Sequence, residues 1–336
     1  MKFCLNLCND INFEPDAVQP CCNVHAIAVP RFPFTGGRLD MAAYARHIQN
    51  VVEQLQKGGA VCRGCPECIE INAPQDSAAR LLFRSVSINM HRHLCNCRCV
   101  YCDLWRGHGA GYAILPVLRS LEEQKVLRRD CFFSWGGGEP GILPDFEEAS
   151  QWILHNGWPQ YVHTNALRFS PAIAALLRDG KGGVNVSLDS ASPEVYRAVK
   201  GVDGFTRVTA NIERYRAAAR EAGLIHLKYI IFEKNNAVAE LECFFALCRA
   251  LDVTAVQFSL NFQEVNGAGP APRRCSGRLF SGTGLRRWAW PACRFLFPSA
   301  GCPSLTNWNS GTFPEPWSAP CPKHKEAPPP AGLPCV

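Results

Sequence analysis

The sequence contains no run of about 18 apolar residues, the length that a membrane-spanning helix requires. Its first residues also lack the apolar stretch and small-residue cleavage site of a secretory signal peptide. Without a secretion signal, its 19 cysteines do not indicate a disulfide scaffold, so we expect metal ligands in the reducing cytoplasm. A basic face for nucleic acid is missing as well, because the net charge of +6 arises within residues 268–336, which hold eight Lys or Arg against two Asp or Glu.

Composition and periodicity divide the chain into three predicted segments. With 336 residues, 47% of them hydrophobic, the chain is long enough for one large domain and a smaller one. We expect a cysteine-rich segment over residues 1–80, a domain of alternating strands and helices over 81–267, and an irregular tail over 268–336. The tail holds 13 of the 25 prolines and no helical or strand periodicity. Two interpretations of it stay open: a disordered tail, or the out-of-frame translation of a GC-rich gene.

The first segment combines one predicted helix with two groups of cysteines. Apolar residues recur at helical spacing from Met41 to Leu55, and this helix should end near Gly58. One group of cysteines precedes the helix, and a C-x2-C-x2-C run, Cys62 to Cys68, follows it. A segment with one helix can hardly form a core of its own, so we expect a bound metal to stabilise it. Buried thiols without a metal are the alternative.

The middle segment reads as six strands separated by helices. Strands are predicted at 85–90, Cys131–Trp135, Gln160–Thr164, Val184–Leu188, Ile225–Phe232 and Ala255–Leu260. Helices are predicted at 112–128, Phe146–His155, from Pro171, from Pro193, at 205–221 and at Val238–Ala250. Such alternation predicts α/β architecture with a parallel sheet, right-handed crossovers and outer helices. Six units are too few for a closed eightfold barrel, so we expect an open, partial (β/α)6 barrel.

Alternation within these strands predicts a polar interior. One face of the fourth strand carries Asn185, Ser187 and Asp189, whereas the valines and Leu188 lie on the other. The sixth strand repeats this pattern, with Gln257, Ser259 and Asn261 on the polar face. Because the apolar faces should meet the outer helices, the polar faces line a ligand cavity. His163, Asn165, His226 and Lys228 are candidates to join it, with a satisfied core histidine as the alternative for each histidine.

The octet from Cys95 to Cys102 contains a C-x3-C-x2-C triplet formed by Cys95, Cys99 and Cys102. Three thiolates on one short loop converge on a metal centre more readily than they form disulfides, because bridges so near in sequence strain the geometry. Three ligands also leave one iron of a four-iron cluster open to a small molecule. Cys97 is interpreted as a spare thiol, since its neighbours have the better spacing. A zinc knuckle or a chance run is the alternative.

The second predicted strand ends in the glycine-rich turn 136–140. With the cysteine loop followed by this turn, residues 81–265 resemble the radical S-adenosylmethionine (radical SAM) superfamily. The resemblance implies that Cys95, Cys99 and Cys102 hold a [4Fe-4S] cluster whose fourth iron is chelated by SAM. It also implies reductive cleavage of SAM to a 5′-deoxyadenosyl radical, which removes a hydrogen atom from a peptide or small-molecule substrate. A reducing partner such as flavodoxin or ferredoxin would supply the electron.

The resemblance also assigns SAM-binding roles to eight residues. These are Tyr101 beside adenine, Gly137, Gly138, Glu139 and Pro140 around the methionyl ammonium, Ser187 and Asp189 near the ribose and methionyl carboxylate, and Lys200. Glycine lets the backbone approach closely, and a carboxylate suits a cation. Lys200 stands where relatives often carry arginine and can pair with a carboxylate as a point charge, with a solvated helix end as the alternative. No catalytic acid or radical-bearing residue follows from the resemblance.

A second metal site is expected in the first segment. Its predicted ligands are Cys21, Cys62, Cys65 and Cys68, with Cys4, Cys8 and Cys22 as substitutes. Auxiliary-cluster domains of the family usually follow the barrel, whereas these cysteines precede it. A second [4Fe-4S] cluster would pass electrons or anchor substrate, and zinc would serve only structure. Two other functions stay open: a non-catalytic binding protein stabilised by zinc or a cluster, and a truncated, non-functional radical SAM protein.

Overall fold

A ten-stranded sheet organises the part of the chain that the structure, a computed structural model, describes: residues 2–4, 6–21, 29–59, 61–62, 69–70, 81–108, 111–261 and 294–295. The strands are β1 (Lys2–Phe3), β2 (Asp10–Phe13), β3 (Ala17–Gln19), β4 (Phe32–Pro33), β5 (Ile69–Glu70), β6 (Phe83–Ile88), β7 (Leu127–Trp135), β8 (Gln160–Thr164), β9 (Gly182–Ser187), β10 (Ile225–Ile231), β11 (Ala255–Leu260) and β12 (Arg294–Phe295). The helices are α1 (Asn6–Asn9), α2 (Met41–Gln56), α3 (Leu115–Glu123), α4 (Phe146–His155), α5 (Pro171–Asp179), α6 (Pro193–Lys200), α7 (Phe205–Ala218) and α8 (Val238–Ala250).

The order of the strands confirms the predicted parallel sheet. Across it the strands run β12-β11-β10-β9-β8-β7-β6-β2-β3-β4, and each neighbouring pair from β6 to β11 is parallel. Strands β1 and β5 form a separate antiparallel pair. A helix follows each of the strands β6 to β10, so the alternating architecture is that of a mixed α/β fold, as expected.

Local signals explain most helix bounds. Ser170 caps α5, because its hydroxyl accepts a hydrogen bond from the backbone N–H of Ile173 at 3.2 Å. Gly180 ends that helix in the left-handed region at φ 69°. The predicted helix at 112–128 was too long. It ends at Glu123 because Lys125 adopts a φ of 55°, and the chain then enters β7 at Leu127.

Exposure confirms which face of the sheet is polar. Along β10, Ile225, Leu227 and Tyr229 are buried, whereas His226 and Lys228 between them are only partly buried. The buried set belongs to the hydrophobic core beneath the helices, so the partly exposed set lines the inner face. Side chains also meet over intervening strands on that face. Across β10, Asn185 Nδ2 donates to Gln257 Oε1 at 2.5 Å, which indicates a concave surface.

The first 80 residues contribute to this same sheet. Strand β2 pairs in parallel with β6, and β3 and β4 continue the sheet in antiparallel pairs. The predicted helix α2 is present, and its apolar face packs into the hydrophobic core shared with the central strands. Sequence analysis missed β2 to β4, although Ile11 and Phe13 alternate with polar residues in β2. The segment therefore shares a core rather than lacking one, and its status as a separate domain stays a prediction.

The tail contributes one described element. Strand β12 pairs in parallel with β11 at the opposite edge of the sheet from β4. The other residues of 262–336 lie outside the described ranges, so both interpretations of the tail stay open. Of the helices in the described ranges, none is both long enough and apolar enough to cross a membrane.

Candidate active site

The cysteine loop follows β6 and is held by backbone hydrogen bonds to the end of α6. The N–H groups of Arg98 and Val100 donate to the carbonyl oxygens of Lys200, at 2.8 Å, and Val199, at 3.0 Å. The Arg98 guanidinium in turn donates to two carbonyl oxygens of its own loop, at 2.8 and 2.9 Å. Gly201 allows this close packing, because a Cβ there would lie 2.6 Å from the Arg98 carbonyl oxygen. The loop is therefore fixed against the end of α6.

The four cysteines of the loop are not equivalent. Cys97 is 1% exposed, whereas Cys95, Cys99 and Cys102 are partly exposed. The Cys97 thiol lies within hydrogen-bonding reach of the Cys95 and Cys99 thiols, and this contact lowers the pKa of Cys99 to about 6. The backbone N–H of Cys97 also points to Cys95 Sγ, at 3.4 Å. Cys95, Cys99 and Cys102 thus keep some exposure to solvent, and Cys97 is buried inside the loop.

The glycine turn lies directly against the start of this loop. Gly138 has a φ of +82°, and a Cβ there would lie 2.6 Å from the carbonyl oxygen of Leu94. The backbone N–H of Glu139 donates to that same Leu94 oxygen at 2.7 Å. Pro140 begins a 3₁₀ turn, Pro140–Ile142, and is buried. The turn and the cysteine loop therefore form one rigid unit.

The Glu139 carboxylate accepts hydrogen bonds from the protein at most of its acceptor positions. Its Oε1 accepts from the Thr164 hydroxyl at 2.7 Å and from the Gly141 N–H at 3.1 Å. Its Oε2 accepts from the Asn165 N–H at 2.6 Å. Burial raises the pKa of Glu139, and these donors act against that rise. Because a carboxylate has about four acceptor positions, one position on Oε2 is left for a further donor.

A second buried carboxylate, Asp189, organises the far side of the loop. Its Oδ2 accepts from the Tyr101 hydroxyl at 2.6 Å and forms an ion pair with Lys200, while its Oδ1 accepts from the Ile230 N–H at 2.6 Å. Lys200 is 1% exposed, so the alternative of a solvated helix end was wrong. Burial acts to lower the pKa of Lys200, but the Asp189 carboxylate and the Cys99 thiolate raise it above its usual value. Asp189 holds this position at a φ of 57°.

Ser187 and the cysteines of the predicted second site complete the set of predicted residues. Ser187 ends β9, where its Cα pairs with that of Lys228. Of the predicted second metal site, Cys21 is half-buried and Cys62 is buried, whereas Cys65 and Cys68 lie outside the described residues. The second site therefore stays a prediction.

Sequence reasoning missed an ion pair at the start of the loop. The Arg92 guanidinium binds the Glu14 carboxylate through two nitrogens, one at 2.6 Å from Glu14 Oε1. Asn12 Nδ2 donates to that Oε1 at 2.8 Å, and Asn89 Nδ2 donates to Asn12 Oδ1 at 2.6 Å. This network joins β2 to the cysteine loop. Its only signal in the sequence is the alternation of Asn12 and Glu14 with apolar neighbours.

Comparisons with known proteins give a family match within the middle segment of the chain. A family model described as the radical SAM superfamily matches residues 90–236. The chain is 29% identical over 161 residues to "Mycofactocin maturase MftC" of Mycobacterium ulcerans (strain Agy99). It is 28% identical over 164 residues to the protein of that name from Mycobacterium tuberculosis (strain ATCC 25618 / H37Rv). The family match and these relatives support radical SAM superfamily membership. The alignments cover 46% and 48% of this chain but only 42% and 41% of the two relatives, so it spans less than half of their length.

Two solved structures that match this chain are distant from it in sequence. Streptococcus suis SuiB bound to precursor peptide SuiA has a TM-score of 0.49 at 11% identity, covering 77% of this chain and 63% of that chain. Native anSMEcpe with bound AdoMet has a TM-score of 0.44 at 18% identity, covering 53% of this chain and 51% of that chain.

Similarity to the radical SAM superfamily implies a [4Fe-4S] cluster and SAM, and the thiols of the loop fit such a cluster. In the described ranges, no three Cys, His, Asp or Glu side chains converge on one point as the ligands of a single metal ion do. Each cysteine of a four-iron cluster binds a different iron, so such a cluster does not require three thiols to meet at one point. The N–H of Cys97 and, at 3.9 Å, Asn165 Nδ2 point to Cys95 Sγ, and such donors adjust the potential of cluster sulfurs.

Proposed function

We propose that this chain is a radical SAM enzyme in which Cys95, Cys99 and Cys102 hold the [4Fe-4S] cluster. When bound, the cluster and SAM supply a 5′-deoxyadenosyl radical that abstracts hydrogen from substrate. The observation that supports this function best is the difference in burial among the four cysteines of the loop. Three are partly exposed at the carboxyl end of the parallel sheet, where α/β folds bind ligands, and the fourth is buried.

The surrounding residues would position SAM rather than react with it. The open acceptor position on Glu139 Oε2 suits the methionyl ammonium beside Gly137, Gly138 and Pro140. Tyr101 is held by its hydroxyl on Asp189 and by an edge contact with Phe232, with ring centroids 5.7 Å apart, so its ring is fixed for stacking on adenine.

On the other side of SAM, three further residues would set its orientation. Asp189 and Lys200 neutralise each other, which makes them positioning groups. Ser187, two residues before Asp189, would lie near the ribose, as the family resemblance implies. Their common task is therefore to shape the SAM site and to keep unpaired charge out of it.

We further infer that the substrate is a peptide and that the electron comes from a flavodoxin or ferredoxin. The curated relatives are named as maturases, which suits a protein precursor as substrate. The inner face of the sheet also supports an extended substrate, because Phe132 on β7 is 39% exposed there and Tyr161, His163 and Lys228 are partly exposed. The exposed Val100 beside Cys99 gives a reductant access to the cluster loop.

Cleavage of SAM to 5′-deoxyadenosine under dithionite tests this function. After anaerobic reconstitution, the wild-type chain should release 5′-deoxyadenosine, and Cys99→Ala should lose both cluster absorbance and cleavage. Cys97→Ala is the matched variant in the same loop and should keep its iron content. Absence of cleavage in the reconstituted wild type would remove the enzyme function, and equal iron loss in both variants would remove the ligand assignment.

A second cluster or a zinc ion in the first 80 residues is a separate proposal. The predicted ligands are still Cys21, Cys62, Cys65 and Cys68, and Cys8 is half-buried in the same segment. Iron and sulfide analysis separates the possibilities: about four irons per chain means one cluster, and about eight means two. Zinc with four irons would indicate a structural site.

A further inference from the structure

Lys228 places a positive charge on the concave inner face of the sheet. Its side chain is partly buried on β10, and its ammonium makes no hydrogen bond or ion pair within the described ranges. Burial lowers the pKa of Lys228, and the Asp189 carboxylate acts in the opposite direction. That carboxylate is already paired with Lys200, so it does not neutralise a second lysine. A partly buried, unpaired ammonium is costly to keep, which is an argument for a ligand.

The residues that pair with Lys228 on the two neighbouring strands are polar but uncharged. In register, its Cα pairs with those of Ser187 on β9 and Gln257 on β11. His163 lies within electrostatic reach of Lys228, and burial together with the charges of Lys228 and His226 lowers the pKa of His163 to about 4. His163 is therefore neutral at pH 7, and Lys228 supplies the formal charge of this group.

A hydrogen bond between two side chains lies next to Lys228 on the inner face of the sheet. Tyr161 on β8 reaches over β9 and forms a hydrogen bond with His226 Nδ1 on β10. Gly183 of β9 leaves room for this bridge, because a Cβ there would lie 3.2 Å from the Tyr161 ring. The residue one layer above His226 on the same face is Lys228. The hydrogen-bonded pair of Tyr161 and His226 therefore lies one layer below Lys228 on the same face of the sheet.

Two buried polar atoms near this position also lack partners in the described part of the chain. They are Asn185 Oδ1 and Ser259 Oγ. Ser259 lies two residues beyond Gln257 on the same face of β11, so its hydroxyl can donate to a ligand on the concave inner face. A buried hydroxyl without a partner costs free energy unless a ligand or water satisfies it. An ammonium and a hydroxyl donor together suit one small acceptor.

We propose that Lys228 and Ser259 form a carboxylate-binding site for the substrate. The inference rests on the proposed function, because it places a substrate group opposite the cysteine loop. The carboxylate comes either from the C-terminus of a peptide or from an aspartate or glutamate side chain within it. The site would orient the substrate and is distinct from the residues assigned to SAM.

Binding of three small probes tests the proposal without SAM cleavage. N-acetylglycine resembles a C-terminal carboxylate, N-acetylaspartate α-amide keeps a free side-chain carboxylate and resembles an acidic residue, and N-acetylglycinamide is the neutral control. Calorimetry on the full reconstituted chain should show that at least one carboxylate probe binds about tenfold or more tightly than the neutral amide. The tighter of the two carboxylates identifies the source. Equal binding of all three would overturn the site.

Variants connect this binding to the proposed residues. Lys228→Gln should weaken carboxylate binding by about tenfold or more, whereas Lys228→Arg should retain most of it. Lys181→Gln is the matched control, because Lys181 is exposed at the other end of the strands. Unchanged carboxylate binding in Lys228→Gln would contradict the proposal even if SAM cleavage succeeds. Loss of SAM cleavage with intact carboxylate binding would instead contradict the proposed function.

A second measurement covers the case in which Lys228→Gln does not fold. In the wild-type chain, reductive methylation followed by peptide mass spectrometry reports the reactivity of each lysine. N-acetylglycine should protect Lys228 and leave Lys181 unchanged, and N-acetylglycinamide should protect neither. Equal methylation of Lys228 with and without the carboxylate probe would overturn the assignment.

Discussion

Two ion pairs hold the cysteine loop. They differ in how deeply they are buried and in which part of the chain supplies their residues. Asp189 and Lys200 have side chains 0% and 1% exposed and both lie within the region that matches the family model. Glu14 and Arg92 are 7% and 30% exposed, and Glu14 lies outside that region, directly after the strand β2 that extends the sheet. The first pair fixes the end of the loop and the second fixes its beginning. The difference teaches that the family domain supplies one support, while the first 80 residues of this chain supply the other.

Breaking the deeper pair should have the largest effect. Lys200→Met leaves the Asp189 carboxylate buried without a cation, which should lower the free energy of unfolding by roughly 3–5 kcal/mol. Urea unfolding of the chain measures this loss, and iron content after reconstitution reports the loosened loop. The double variant Asp189→Asn/Lys200→Met should recover part of the loss because no unpaired charge remains. A double variant less stable than Lys200→Met alone would contradict this account of the pair.

Breaking the second pair should cost less. Glu14→Gln keeps a hydrogen bond to Arg92 but removes the negative charge, and Arg92 can gain water because it is 30% exposed. We expect a loss of roughly 2 kcal/mol in the free energy of unfolding. Iron content should also fall, since Arg92 lies three residues before Cys95. Glu14→Gln and Lys200→Met could instead cause equal losses of unfolding free energy and of iron content. Burial would then not explain how much each ion pair contributes.

The same two pairs show what the sequence could predict. Periodicity and capping serines located β6 to β11 and most helices to within a few residues, because those signals lie within each element. The cysteine loop and the glycine turn were found from spacing, since both are continuous stretches. Glu14 and Arg92 are 78 residues apart, and only the tertiary fold decides which distant acid meets which base. Lys200 was ambiguous because a helix end gives no local sign of its burial.

The packing of Gly201 connects the deeper pair to the loop and should have a smaller effect. Gly201→Ala places a Cβ against the Arg98 carbonyl oxygen at a φ of +67°, so we expect a loss of about 1–2 kcal/mol. Gly58→Ala is the matched control: its φ is +74°, but a Cβ there meets nothing within 4 Å. Thermal unfolding of both variants separates backbone strain from the clash. Equal losses would mean that contact with the loop adds nothing.

An exposed pair sets the lower limit of the comparison. Arg197 and Asp203 lie 2.9 Å apart with side chains 60% and 71% exposed, just outside the buried pair at the end of α6. Solvent screens such a pair, so Arg197→Ala should change the free energy of unfolding by about 0.5 kcal/mol or less, and by less still in 1 M salt. Urea unfolding at low and high salt measures both values. A loss as large as that of Glu14→Gln would mean that burial does not rank the ion pairs around this loop, and the difference between Glu14–Arg92 and Asp189–Lys200 would then need a cause other than depth.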